Sequence, residues 1–429
     1  MRVLYFCQYF STRKGSWYGR PYEFSRRLIE RGHEVTMVCG SNTRSATGLE
    51  QPFISGRRDG ACDGIRVVEF DLNYSNYDGV ATRTWKFAKY ALRGITFALR
   101  EDYDLIFCTS TPLTAGLPGI AAATFRRKPF VFEVRDLWPE LPKAMGMTNP
   151  LLLGAMSALE WASYRSARAC IGLAPGIVDG IRARGVDADD TVMIPNGCDL
   201  DLFAPKDGAR PSIDGIDDDQ FVAVFAGAHG RANGLDAVLD AAGELQAKGR
   251  DDITLLLIGD GKLKPALEAR AKSEGLNNVV FRDIMPKSEL AKVMQRADAG
   301  LMVLANIEAF YYGTSPNKFF DYISNGLAVI NNYPGWLAGL ITEHECGVTA
   351  APEDPAAFAD ALMRLADHPE ETKAMGVRAR KLAEARFDRR DLADRFVDCL
   401  ERVLRPAGKA DLDSAAGSAV NPAPTRPQR

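Results

Sequence analysis

The densest group of chemically capable side chains in this 429-residue chain is EAFYYGTSPNKFFDYISNG, residues 308–326. The segment follows the apolar run GLMVL and precedes AVI, so a strand is expected on either side of it. Thr314 and Ser315 supply hydroxyls that donate or accept hydrogen bonds, and Lys318 supplies a positive charge for phosphate. Asp321 stands three residues beyond Lys318, on a neighbouring face of the expected helix. A carboxylate placed there suits the two hydroxyls of a ribose. A bland surface helix does not need Gly-Thr-Ser-Pro in front of it, so the segment reads as one half of a nucleotide site.

Three other loops follow apolar runs. SWYGRP, residues 16–21, places Gly19 and Arg20 where a helix begins, and its unpaired N–H groups favour an anion. GAHGRANGLD, residues 227–236, brings His229 and Arg231 toward a donor phosphate; packing or capping is an equal reading for the histidine. IGDG, residues 258–261, puts Gly259 where a ligand approaches the carboxyl ends of parallel strands, or simply makes a turn. None of these is the dinucleotide fingerprint, which argues against a nicotinamide enzyme. The histidines, at 33, 229, 344 and 368, are too scattered for a zinc spacing, and no metal is expected.

The elements that must hold these loops repeat one logic twice. Strand patterns at 2–7, 34–39, 65–70, 103–109, 129–134 and 169–174 alternate with helices, while 41–64 reads as a polar loop. A second α/β pattern starts at 221–226 and continues through 253–258, 279–281, 300–304 and 328–330. The expected fold class is α/β, two Rossmann-like domains facing across a cleft. Residues 1–203 form the first domain and 204–386 the second. Residues 387–407 fit a crossover helix, and the Ala-, Gly- and Pro-rich 408–429 a disordered tail.

Composition narrows the partners. With 53 Lys and Arg against 56 Asp and Glu, the net charge of -3 excludes a general nucleic-acid binder. The eight cysteines contain no CxxC and read as reduced thiols. The start shows neither a signal-peptide pattern nor a long uncharged apolar span, so a cytoplasmic protein is expected. Residues 79–100 hold Arg83, Lys86, Lys89, Arg93 and Arg100 but no acid. Lys86, Lys89, Arg93 and Arg100 fall roughly on one helical face, a pattern that fits an anionic membrane surface or a solvated basic face.

Together, YGRPYEF, PNGCDLDLF at 195–203, GAHGRANGLD, LLLIGDG and GTSPNKFFDYISNG resemble the retaining glycosyltransferase family 4, whose members have the GT-B fold. The resemblance runs through nearly the whole chain to about residue 404. It is most similar to bacterial enzymes of O-antigen or capsule assembly, the fucosaminyltransferase-like subgroup. It implies transfer of a sugar from a nucleotide sugar, with UDP as nucleotide, to a polyprenyl-diphosphate-linked saccharide, without a metal. It also implies Asp136, in VFEVRDLWPE, as an acceptor-side residue with Arg135, Trp138 and Glu140 around it. The family's paired glutamates map to Gly313 and Asp321, so Glu308 is the nearby substitute for the first. The usual Arg and Lys after the first strand of the second domain are absent, which leaves His229, Arg231 and Lys318 for the phosphates. A sugar-nucleotide epimerase and a non-catalytic nucleotide-sugar scaffold are the alternatives.

Overall fold

A computed structural model describes residues 1–15, 19–42, 46–75, 77–204 and 211–405. Residues 16–18 of the first loop and the expected tail at 408–429 lie outside the described residues. The first unit contains β1 (Arg2–Phe6), β2 (Glu34–Asn42), β3 (Arg57–Cys62), β4 (Ile65–Tyr74), β5 (Leu105–Thr109), β6 (Phe130–Val134), β7 (Ala169–Gly172) and β8 (Thr191–Met193). Its helices are α1 (Arg20–Glu30), α2 (Val80–Arg100), α3 (Gly116–Arg126), α4 (Glu140–Ala144), α5 (Pro150–Ser166) and α6 (Pro175–Ala183). The strands form one sheet in the order β3-β4-β2-β1-β5-β6-β7-β8. It is parallel except for the β3–β4 pair.

The second unit restarts the pattern with β9 (Phe221–Ala226), β10 (Ile253–Ile258), β11 (Val279–Arg282), β12 (Ala299–Met302), β13 (Ala328–Asn331) and β14 (Gly347–Thr349). They pair in parallel in the order β11-β10-β9-β12-β13-β14. Around them lie α7 (Asp236–Ala247), α8 (Lys264–Ser273), α9 (Lys287–Met294), α10 (Glu308–Gly313), α11 (Asn317–Ser324), α12 (Trp336–Glu343), α13 (Pro355–Asp367) and α14 (Pro369–Arg386). Strands such as β10, ITLLLI, are buried along their whole length because helices cover both faces of a parallel sheet. That makes them legible as short apolar runs.

The expected polar loop at 41–64 is corrected by the structure: β3 runs antiparallel along β4. Its sequence, RRDGAC, buries no residue fully, so it carries none of the alternation that marks a strand with one face in the core. Charge and glycine on an edge strand also discourage pairing with another chain.

The last helix, α15 (Arg389–Leu404), lies against the first unit rather than the second. Phe396 stacks on Phe24 at 4.7 Å and meets Phe107 edge-on at 4.8 Å. Asp394 accepts hydrogen bonds from Arg27 at 2.6 Å and Arg31 at 3.1 Å. The chain therefore ties its C-terminal end back to α1, which fixes one side of the cleft relative to the other. All eight cysteines are free, and all but Cys62 are buried.

Candidate functional site

The carboxyl ends of the two sheets face each other across a cavity of about 700 Å³. From the first unit come Tyr9 and Ser11 after β1, Gly19 and Arg20 at the start of α1, and Arg135 after β6. From the second come the loops after β9, β10 and β11, together with Asn317 and Asp321 of α11. Parallel strands deliver all their following loops to one edge, so residues far apart in sequence meet there.

Asp321 sits on the floor of the cavity and is 6% exposed. Burial raises its carboxyl pKa, while Lys287 at 3.5 Å favours the charged form. Its Oδ1 has no hydrogen-bond partner within the protein. Lys287, at the first turn of α9, also lies 3.0 Å from Asp199, which Arg389 holds from the other side. Asp199 is correspondingly pushed well below the ordinary carboxylate range. Sequence reading did not single out Lys287 or Asp199, because three separate segments must fold before the group exists. The PNGCDLDLF resemblance was the only signal near it.

Arg135, Arg231 and Lys262 also line the cavity and form no ion pair among the described residues. Asn317 opens α11, and no side chain caps that helix end. Unpaired N–H groups and cations that form no ion pair make the cavity suited to an anion. Gly19 also borders it, and a Cβ placed there would meet nothing within 4 Å, leaving room for a ligand. Tyr77 crosses the mouth, its hydroxyl 2.9 Å from an Asp260 carboxylate oxygen.

Several expected ligands are placed elsewhere. Arg20 is 2% exposed; its Nε donates to Glu133 at 2.7 Å and its Nη1 to the Pro195 carbonyl at 2.7 Å. Thr109 holds the other oxygen of Glu133 at 2.8 Å. Arg20 thus borders the cavity but spends its charge as a buried strut between α1 and β6. His229 is fully buried between Phe225 and Phe281, and neither ring nitrogen has a partner. Burial pushes its pKa down to about 4, with the nearby Lys264 adding to the shift, so it is a neutral packing residue and not a phosphate ligand.

Lys318 is 7% exposed and does not line the cavity. Its Nζ donates to Asn233 Oδ1 at 2.5 Å and to the Val303 carbonyl at 3.0 Å, above the ring of Phe225. Burial lowers its pKa to about 7. It fastens the Arg231 loop to the strand end at β12. The reason the sequence reading misses this is that the side chain of the second helical residue points back along the helix toward the sheet.

The hydroxyls of 314 and 315 are also engaged in structure. Thr314 donates to the Phe310 carbonyl at 2.9 Å, closing α10. Ser315 Oγ accepts from the Asn196 N–H at 3.0 Å, and its carbonyl accepts from Asn196 Nδ2 at 2.6 Å. The Pro-Asn-Gly turn of the first unit is therefore pinned to the start of α11. Glu308 is exposed at the start of α10, a helix that packs against α4 and α6, and does not line the cavity. Asp136 is half-buried, accepts from Thr111 at 3.1 Å and has its pKa raised by burial. Its neighbour Arg135 is the residue that reaches the cavity, while Glu140 pairs with Arg184 at 3.2 Å.

Gly259 borders the cavity, yet the protein itself explains why it is glycine. Its φ is 151°, and a Cβ would lie 1.8 Å from the Gly227 carbonyl oxygen. A Cβ on Gly261 would lie 2.4 Å from the His229 carbonyl oxygen. The loops after β9 and β10 thus touch backbone to backbone, and only glycine permits it. Among the described residues, no group of His, Cys, Asp and Glu is placed to hold a metal.

The exposed face of α2 differs from the expected basic one. Lys86 pairs with Asp78 at 2.8 Å, Lys89 donates to the Asp71 carbonyl and Arg93 to the Gly56 carbonyl. These three side chains bend onto polar groups of their own domain, and Trp85, Leu92 and Leu99 stand outward together with Arg100. No described helix is long and apolar enough to cross a membrane.

Two family models match this architecture unit by unit. Residues 20–197 match the glycosyl transferase 4-like domain, and residues 220–368 match glycosyl transferases group 1. The D-rhamnosyltransferase WbpZ of Pseudomonas aeruginosa is 29% identical over 165 residues, which is 38% of this chain and 40% of that protein. The chain thus spans less than half the length of that relative. Sucrose-phosphate synthase from Thermosynechococcus elongatus superposes with a TM-score of 0.73 at 16% identity, over 94% of this chain and 98% of that one. Anabaena Alr3699/HepE in complex with UDP-glucose does so with a TM-score of 0.66 at 17% identity, over 94% of this chain and all of that one. The chain therefore carries a glycosyl transferase 4-like domain followed by a glycosyl transferases group 1 domain, in a two-sheet fold that sucrose-phosphate synthase shares.

Proposed function

We propose that this protein is a retaining glycosyltransferase that moves a sugar from a UDP-sugar to a lipid-linked saccharide in cell-surface polysaccharide synthesis, working at the cytoplasmic face of a membrane. The observation that carries the donor half is Asp321: a carboxylate that lines the cavity from α11, with the Lys287 ammonium 3.5 Å from its Oδ1 favouring the charged form. A charged carboxylate at the border of a cavity is an acceptor suited to a ligand's donors. The two hydroxyls of a ribose supply them. Arg231, Lys262 and the uncapped start of α11 then receive the diphosphate. Alr3699/HepE, which shares the fold, has UDP-glucose in its structure, and this supports a UDP-sugar here.

In this reading the bond between the sugar's anomeric carbon and the diphosphate oxygen breaks. The acceptor hydroxyl attacks from the same face and passes its proton to the departing phosphate. Negative charge grows on the diphosphate, and the cations aimed at it stabilise that charge most in the transition state. Lys318 serves as a positioning residue, holding the Arg231 loop through Asn233. Asp136 faces the acceptor side beside Arg135, and Glu308 takes no part in donor binding. WbpZ, named a D-rhamnosyltransferase, supports transfer of a sugar rather than its epimerisation.

The deciding experiment incubates the purified protein with a panel of nucleotide sugars and polyprenyl-diphosphate-linked saccharides, followed by mass spectrometry and anomer determination. A product heavier by one sugar, with the donor's anomeric configuration, is expected. Isomerised donor without transfer identifies an epimerase, and donor binding without turnover identifies a scaffold.

A further inference from the structure

The large apolar side chains left in solvent are not spread evenly. On α2, Trp85, Leu92 and Leu99 are 66%, 61% and 37% exposed. Seven residues bring a helix back to nearly the same direction, so the three form a single stripe along the outside of α2. Phe125, at the end of the adjoining α3, is 76% exposed, as is Ile54 before β3. In an ordinary amphipathic surface helix this outward stripe is polar.

Beside the stripe is a cavity of about 430 Å³ bordered by Leu92, Arg57, Arg93 and Arg100. The aromatic rings of Phe70 and Phe97 form its wall, with the Arg93 guanidinium 5.9 Å from the first and Arg57 5.8 Å from the second. Arg93 is oriented by the Gly56 carbonyl, to which it donates at 2.6 Å. None of these arginines has an ion-pair partner among the described residues. The one acid at the border, Glu101, is occupied by Arg66 at 2.7 Å. Helices α2, α3 and α5 together contain a single acidic residue, Glu160, and it is buried.

Three uncompensated guanidiniums in a pocket level with an apolar stripe have the complementarity of a phospholipid surface. The stripe enters the boundary of the acyl chains while the arginines meet phosphate oxygens. We propose that the Arg57–Arg93–Arg100 pocket binds the phosphate of an anionic phospholipid, with Trp85, Leu92 and Leu99 seated in the same bilayer leaflet. The proposal rests on the membrane-facing part of the function above and names its contact. It keeps Arg93 and Arg100 of the expected basic face of α2 and adds Arg57 and an apolar stripe to them.

Co-sedimentation with vesicles of equal parts phosphatidylcholine and phosphatidylglycerol tests it, with pure phosphatidylcholine as control and UDP affinity measured on every variant. The exposed pair Arg57→Gln and Arg100→Gln is expected to weaken partition roughly thirtyfold, about fivefold for each charge near an anionic surface. Trp85→Ser with Leu92→Ser is expected to weaken it independently, and UDP affinity should not move in either. Partition that is unchanged in either pair, or equal on pure phosphatidylcholine, overturns the proposal. So does arginine-dependent binding of inorganic phosphate by a protein that ignores vesicles, which identifies a soluble-anion pocket instead. Failure of the donor-site reading shows separately, as absent UDP binding in the unmutated protein.

Discussion

The ammonium of Lys287 stands 3.5 Å from Oδ1 of Asp321, across the boundary between α9 and the helix that floors the cleft. Burial raises the Asp321 pKa, and Lys287, with Arg389 behind it, opposes that shift. Asp199 in turn holds Lys287 in place at 3.0 Å. The position and charge of the Asp321 carboxylate therefore depend on a relay through three segments.

Replacing Asp321 by Asn keeps the volume and removes the charged acceptor. Hydrogen bonds to a charged group contribute about 1.5–3 kcal/mol, so UDP affinity should fall at least tenfold by calorimetry. Lys287 keeps Asp199 as its partner, so the unfolding midpoint should change little. Because the Asp321 pKa is raised above its ordinary 3.8, donor affinity of the unmutated protein should decline as pH falls through that raised value. Asp321→Asn should lack that limb.

Lys318 predicts a stability profile. Its pKa falls from 10.5 to about 7 on folding, so the unfolded chain binds more protons throughout that window. Stability should consequently rise with pH from about 7 upward, at most by about 1.4 kcal/mol per pH unit from this group. Urea unfolding at pH 7 and pH 9 checks this, and Lys318→Met should show a flatter rise than the unmutated protein.

Arg20 and Glu133, buried at 2.7 Å, should behave as structural partners. Arg20→Met leaves Glu133 charged and alone, a loss of about 3–5 kcal/mol by urea unfolding. The double variant Arg20→Met with Glu133→Leu should recover much of it. A stable Arg20→Met protein with only weakened donor binding would return Arg20 to the role of phosphate ligand.

Gly259→Ala tests the loop contact. Its Cβ meets the Gly227 carbonyl at 1.8 Å on a backbone of φ 151°, so the loops after β9 and β10 must separate. Strain of this kind costs on the order of 1–3 kcal/mol. The expected result is a lower melting temperature together with weaker UDP binding. An unaltered affinity would show that the loop does not border the donor.

Arg231→Gln should weaken UDP more than uridine, because only the diphosphate meets the guanidinium. The difference should shrink as salt is raised, since an exposed cation is screened. Equal weakening of both ligands would move Arg231 away from the phosphates.

The two-unit architecture was written in the sequence because doubly covered parallel strands must be continuous apolar runs, and ITLLLI or FVAVFA can hardly be anything else. The loops after those strands were legible for the same reason, and Asp321 and Arg231 were found through them. Edge strand β3 was hidden since it buries no face. The direction of each polar side chain was hidden as well: Lys318 turns to Asn233, Arg20 to Glu133, and His229 between two rings. Residue type and spacing determine which loops gather at the sheet edge. Only packing decides which charges are consumed as struts and which, like Arg231 and Arg135, are left facing the cleft.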